Sequence, residues 1–160
     1  MWKPIELDAR QMGDTEQMTP AVFEHTTRIT WGDCDPDRIA YTGRLPWFAL
    51  DAIDAWWETH LGDAGWFHLN VDRNIGTPFV HMSIDFSSPV TPRHRLICKV
   101  RPMKLGETSI EFSVDGYQGG VLCFKGRFVN VFIVSDEFKK QKVPADIRAF
   151  VEPLLPILSA

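Results

Sequence analysis

The stretch Trp31-Gly32-Asp33-Cys34-Asp35-Pro36-Asp37-Arg38-Ile39-Ala40-Tyr41 places three carboxylates and one thiol within five residues. Carboxylates this close together can ligate a hard cation, or they can do no more than hold a loop by accepting bonds from neighbouring backbone N–H groups. The cation reading fails on spacing. A calcium loop beginning at Asp33 needs glycine at its sixth position and glutamate at its twelfth, where this chain has Arg38 and Arg44. Cys34 as a nucleophile needs a paired histidine, and no histidine lies at a spacing that signals one. The residue types alone leave open whether these aspartates shape a loop or do chemistry.

The elements around this loop must hold it in place. Residues 22–31 mix β-branched and aromatic side chains and read as a half-buried strand. After the loop, Thr42 and Gly43 stand as helix caps, and Pro46 is tolerable in a first turn. Leu45, Phe48, Ala49, Ala52, Ile53, Trp56, Trp57 and His60 or Leu61 then recur at three and four residues, so a largely buried helix is expected to run to about Leu61 and end at Gly62. From Gly76 the period changes. Strands are expected over residues 77–86, 95–103, 108–117 and 121–134, with turns at 89–94, 105–107 and 116–120. A short helix opens near Pro144 and is cut off by Pro153 and Pro156. Residues 1–20 show no period and read as an N-terminal arm, and residues 21–160 read as one domain of α+β class, a helix covering an antiparallel sheet of five strands.

Composition narrows the function classes. A chain of 160 residues with 44% apolar and 24% charged residues can bury one core, and its net charge of -4 supplies no general excess of cation for a nucleic acid. No apolar run suits a membrane span or a signal peptide. Cys34, Cys98 and Cys123 are odd in number, far apart and without zinc-type spacing, so reduced thiols in a cytoplasmic protein and no bound metal are expected.

The loop resembles the catalytic loop of 4-hydroxybenzoyl-CoA thioesterases of the hotdog superfamily, where the pattern reads roughly G-D-C-D-P, a small pair, an aliphatic and an aromatic residue. Two more blocks follow in order: Ile75-Gly76-Thr77-Pro78-Phe79-Val80 resembles that family's V-G-T-P-I-V, and Val143-Pro144-Ala145-Asp146 resembles its V-P-A-D. The resemblance spans about residues 27–150. It implies a hotdog fold, one long central helix wrapped by the five-stranded sheet, and a thioester hydrolase acting on acyl-CoA with no cofactor beyond the coenzyme A of the substrate. It also implies a homodimer or homotetramer with sites between subunits.

By the same resemblance Asp35 is nucleophile or general base, and the backbone N–H of Thr42 donates to the oxyanion. Independent chemistry supports such roles. A carboxylate can attack an acyl thioester or draw a proton from water, and a helix N-terminus offers unpaired N–H groups to the anion that forms. The chain has one residue more than the family pattern between Tyr41 and Asp51, which makes Gly43 an alternative donor. It also has Asp37-Arg38 where the family often has Ala-Gly. Asp51, Trp66 and Thr77 match residues lining the acyl pocket, and Lys104 is the cation expected to meet coenzyme phosphate. Asp51 facing that pocket would favour an aryl acyl group bearing a hydrogen-bond donor. The rival readings are a hydrolase of aliphatic acyl-CoA or acyl carrier protein, and a non-catalytic acyl-CoA-binding hotdog protein. A dehydratase is disfavoured because His25 and His60 lie outside the loop.

Overall fold

The structure, a computed structural model, describes residues 22–157. The arm expected over residues 1–20 lies outside them. In chain order the elements are β1 (Phe23–Thr27), α1 (Arg44–Leu61), α2 (Gly65–Phe67), β2 (Ile75–Gly76), β3 (Phe79–Phe86), β4 (Leu96–Leu105), β5 (Ser109–Gln118), β6 (Val121–Val131), β7 (Ile133–Val134), β8 (Lys139–Lys140) and α3 (Ala145–Val151). A five-stranded antiparallel sheet runs in the order β1-β4-β5-β6-β3, so β1 and β3 are its edges.

The helix period expected up to Leu61 forms the 18 residues of α1, which ends on left-handed Gly62. Its buried face is Leu45, Phe48, Ala49, Ala52, Ile53, Trp56 and Trp57, laid across β1, β4 and β5. Trp56 and Trp57 are closed off from solvent and meet Phe112 of β5 edge-on at centroid distances of 4.9 and 6.0 Å. Burying an aromatic side chain of this size contributes about 3 kcal/mol, so this cluster ties the helix to the sheet. Alternate residues of β4 and β5 point inward to it, giving Leu96, Cys98 and Val100 on one strand and Ile110, Phe112 and Val114 on the next.

The fold departs from the simple expectation of one helix and one sheet in two ways. Short helical segments accompany α1, and β2, β7 and β8 form a second, three-stranded sheet. Two expected strands therefore divide. Pro78 has no N–H for a ladder, so the segment expected over 77–86 begins its main strand at Phe79, with Ile75–Gly76 paired separately to β7. The segment expected over 121–134 leaves the first sheet after Val131, when Phe132 turns its N–H to Thr108, and crosses to the second. The turn expected over 116–120 narrows to Gly119 and Gly120, both at positive φ, as a two-residue hairpin requires. Gly116 instead lies within β5, where a Cβ would run into the ring of Phe124.

Candidate active site

β1 gives way to a loop built around Asp33. One oxygen of this buried carboxylate accepts from the backbone N–H and the hydroxyl of Thr30, both at 2.8 Å. The other accepts from Arg44 Nε at 3.0 Å and Nη2 at 2.6 Å, and the backbone carbonyl accepts from Tyr41 N–H at 2.8 Å. Desolvation pushes this carboxyl up, but the bonds from Thr30 and the Arg44 guanidinium outweigh it and hold Asp33 below the usual carboxylate range. The residue therefore clamps the end of β1 to the start of α1.

Asp35 lies two residues on, half-buried, with its backbone N–H on the carbonyl of Ile39. Oδ1 accepts from Asp37 N–H at 2.9 Å, while Oδ2 has no partner among the described residues. Arg38, at the position of the family's glycine, adopts φ of 66°, the left-handed region that a glycine would enter without strain.

α1 begins without a side-chain cap, because its N-cap is Gly43. Arg44 and Leu45 return their N–H groups to Tyr41 and Thr42, and the N–H groups of Thr42 and Gly43 meet no acceptor among the described residues. Two free donors thus stand at the positive end of the helix, seven and eight residues past Asp35. Thr42 is exposed and lines a cleft of about 330 Å³ with Ile39, Leu45, Phe86 and Pro89. Cys34, the rejected nucleophile, points its thiol at the carbonyl of Thr30.

Trp66 and Thr77 come together elsewhere. They line a cleft of about 480 Å³ with Asn70, Phe79, Ser135 and Phe138. Trp66 meets Phe79 edge-on at 5.7 Å, its backbone N–H donates to Asp54 Oδ1 at 2.7 Å, and its buried indole N–H has no partner among the described residues. Thr77 is buried and its carbonyl accepts from Asn130. Gly65, at φ of 52°, packs onto the same Asp54 carboxylate, with no room for a Cβ. Gly65→Ala should therefore lose about 2 kcal/mol and release Trp66, read as a lowered urea midpoint together with a shift in tryptophan emission.

The two clefts lie at opposite ends of β3, the first at Phe86 and the second at Phe79. The steps along the strand from Phe79 to Phe86, at about 3.3 Å each, separate them by roughly 23 Å. One chain therefore does not bring the cleft of Ile39 and Thr42, whose Ile39 carbonyl holds the Asp35 N–H, together with the Trp66–Thr77 pair. Asp51 is exposed on α1 and Lys104 is exposed on β4 opposite Glu111, and neither lines either cleft.

Asn70, Ser135 and Phe138, and the pairing of Asp33 with Arg44, escaped the sequence reading, since each joins residues with no periodic relation. The nearest approach to a metal-ligand group among the described residues is Asp63, His68 and Asp72. There His68 Nδ1 lies 2.9 Å from Asp72 and 3.4 Å from Asp63, a surface contact in its own right. All three cysteines are free, and burial pushes the Cys98 thiol up to about 12. No helix among the described residues is long and apolar enough to cross a membrane.

Comparison with known proteins extends the picture. The family model of the thioesterase-like superfamily matches residues 29–151. A thioesterase superfamily protein from Jannaschia sp. CCS1 is 56% identical, with a TM-score of 0.84 over 86% of this chain and 96% of that one. At 18% identity the fold alone is shared with a 1,4-dihydroxy-2-naphthoyl-CoA thioesterase from Synechocystis, at a TM-score of 0.73 over 82% and 96% of the two chains. The same holds for a gentisyl-coenzyme A thioesterase, also at 18% identity, with a TM-score of 0.69 over 81% and 99%. No curated protein matches the chain. A family match across most of the sequence and a majority-identical relative lead to one conclusion: the chain belongs to the thioesterase-like superfamily and is a thioesterase.

Proposed function

We propose that this thioesterase hydrolyses an acyl-CoA with an aromatic acyl group, using Asp35 as nucleophile or general base and the N–H of Thr42 or Gly43 as oxyanion donor. The observation that carries the reading is the Asp35 carboxylate, with one oxygen unpartnered, on a loop that Asp33 and Arg44 clamp to an uncapped helix N-terminus. Donors of this kind, aimed where charge develops, are worth about 3 kcal/mol in the transition state. The aromatic walls of the larger cleft, Trp66, Phe79 and Phe138, favour a planar ring, and two proteins of this fold are named for aryl-CoA substrates.

The reading needs the two clefts to meet, and a second copy supplies the means. β3 is an edge strand whose helix-side residues Met82 and Phe86 stay exposed beyond the reach of α1. Such an edge calls for a partner. If β3 pairs antiparallel with β3 of a second copy about a twofold axis, the Phe86 end of each strand falls beside the Phe79 end of the other. Each Asp35 loop then faces the Trp66–Thr77 cleft of the partner. On this reading the working unit is a homodimer or a homotetramer built from such dimers.

The functional test is steady-state release of CoA from 4-hydroxybenzoyl-, benzoyl-, hexanoyl- and palmitoyl-CoA. Turnover confined to the aliphatic chains would move the substrate to the rival class, and no turnover of any member would refute hydrolysis of acyl-CoA. The pairing is tested separately. Met82→Lys should shift the sedimentation coefficient from dimer or tetramer to monomer and abolish turnover, whereas an unchanged assembly would rule out β3 as the interface.

A further inference from the structure

The loop Ser135–Phe138 between β7 and β8 breaks a local rule at its last residue. A short hairpin often needs a left-handed residue there, which glycine or asparagine supplies. Here the residue is Phe138, at φ of 52° and 75% exposed. A bulky side chain in that backbone region is an outlier, and a solvent-facing aromatic adds a second unfavourable feature at the same position. The surroundings keep it there. Asn74 donates to Asp136 Oδ1 at 2.8 Å and accepts from Asp136 N–H at 3.0 Å, while Ser135 donates its hydroxyl to Asn70 at 3.0 Å and its N–H to the carbonyl of Asn74 at 2.9 Å. The loop is thus pinned to the segment that carries Trp66 and Asn70, and the ring of Phe138 is presented at the rim of the cleft those residues line. Strain that the surroundings over-determine, at a residue bordering a binding cleft, is where a functional role is expected.

We propose that Phe138 is a specificity-determining residue, whose ring covers the aromatic acyl group held in the cleft of Trp66, Asn70, Thr77 and Phe79. The inference rests on the acyl-pocket reading of that cleft given above. The bound ring is walled by Trp66 and Phe79, which already sit edge-on to one another, and Phe138 supplies the outer wall that the open rim lacks. Asn70, Ser135 and Thr77 bring polar atoms to the same cleft, so the class of acyl group is an aryl ring carrying a polar substituent. A flexible alkyl chain gains less from an aromatic wall than a planar ring does.

The test uses Phe138→Gly and Phe138→Leu in the full chain, with three readouts. Phe138→Gly removes the ring and also relieves the left-handed strain, so its melting temperature should hold or rise by up to about 2 °C. Its kcat/KM for 4-hydroxybenzoyl-CoA should fall about tenfold, mostly through KM, while that for hexanoyl-CoA changes less than about twofold. Phe138→Leu, still strained and still apolar, should recover little of the loss. By calorimetry, 4-hydroxybenzoate alone should bind the wild type about tenfold more tightly than Phe138→Gly. Equal losses on both thioesters, no loss on either, or a melting temperature lowered by more than about 2 °C would overturn the assignment. Dissociation of the assembly in Phe138→Gly would mark the ring as an interface residue instead. A wild type that hydrolyses nothing but binds 4-hydroxybenzoate in a Phe138-dependent way would refute the hydrolase reading and leave Phe138 standing. Hydrolysis of 4-hydroxybenzoyl-CoA indifferent to Phe138 would do the reverse.

Discussion

Asp35→Asn should lower kcat on the preferred aryl-CoA by at least about a hundredfold, a loss near 2.7 kcal/mol, with little change in KM. The amide keeps the shape of the carboxylate and can still accept from Asp37 N–H. It is a poor nucleophile and a poor base, so the substitution removes the chemistry and spares the loop. Residual turnover would come from the helix N-terminal donors and from binding, which the substitution leaves in place. The melting temperature should stay within about 2 °C of wild type, since the second carboxylate oxygen makes no bond among the described residues. A variant of normal stability and undiminished kcat would remove Asp35 from the mechanism and turn attention to the other groups of the loop.

Asp33→Ala should lower stability by about 3 kcal/mol and abolish turnover with it, although Asp33 itself does no chemistry. Removing the carboxylate leaves the Thr30 N–H without an acceptor and frees Arg44, so the loop loses its tie to α1. Arg44→Met should cost only about 1 kcal/mol, because its side chain is half exposed and the Thr30 bonds to Asp33 remain. The pH dependence has a definite sign. Asp33 has a folded pKa below its ordinary value of 3.8, so its stabilisation is complete above about pH 4 and is lost as pH falls through the folded value. The wild type should therefore shed stability more steeply in acid than the variant does. Glu107, Glu111 and Asp146, also held low, contribute an acid slope common to both. Urea midpoints at about pH 7, 4 and 3 would read the difference, and parallel curves for the two proteins would show that Asp33 is not the stabilising anion.

Much of this molecule was legible before any fold was seen, and the legible part is what depends on local chemistry. The three- and four-residue recurrence from Leu45 to Leu61 reports one helix face, and it became α1 with Trp56 and Trp57 at its centre. The glycines at 119 and 120 mark a chain reversal because of what their own backbones allow, and a hairpin followed there. The string from Gly32 to Pro36 singled out a carboxylate loop for the same reason, since backbone bonds within a few residues shape it. Strand ends were less legible. Whether residues 133–134 continue β6 or cross to a second sheet depends on Gly76 and Pro78, more than fifty residues earlier in the chain.

The site divides along the same line. Sequence by itself determined the Asp35 loop and the helix that follows it, because both are set by neighbours along the chain. Only the tertiary structure decided that Arg44 reaches back to Asp33, and that Phe138 is held over a cleft with Trp66 and Thr77. It also decided that the length of β3 keeps this cleft away from the one that Ile39 and Thr42 line. Those relations follow from the order of strands in a sheet and the packing of loops against its ends, which bring together residues that no sequence period relates.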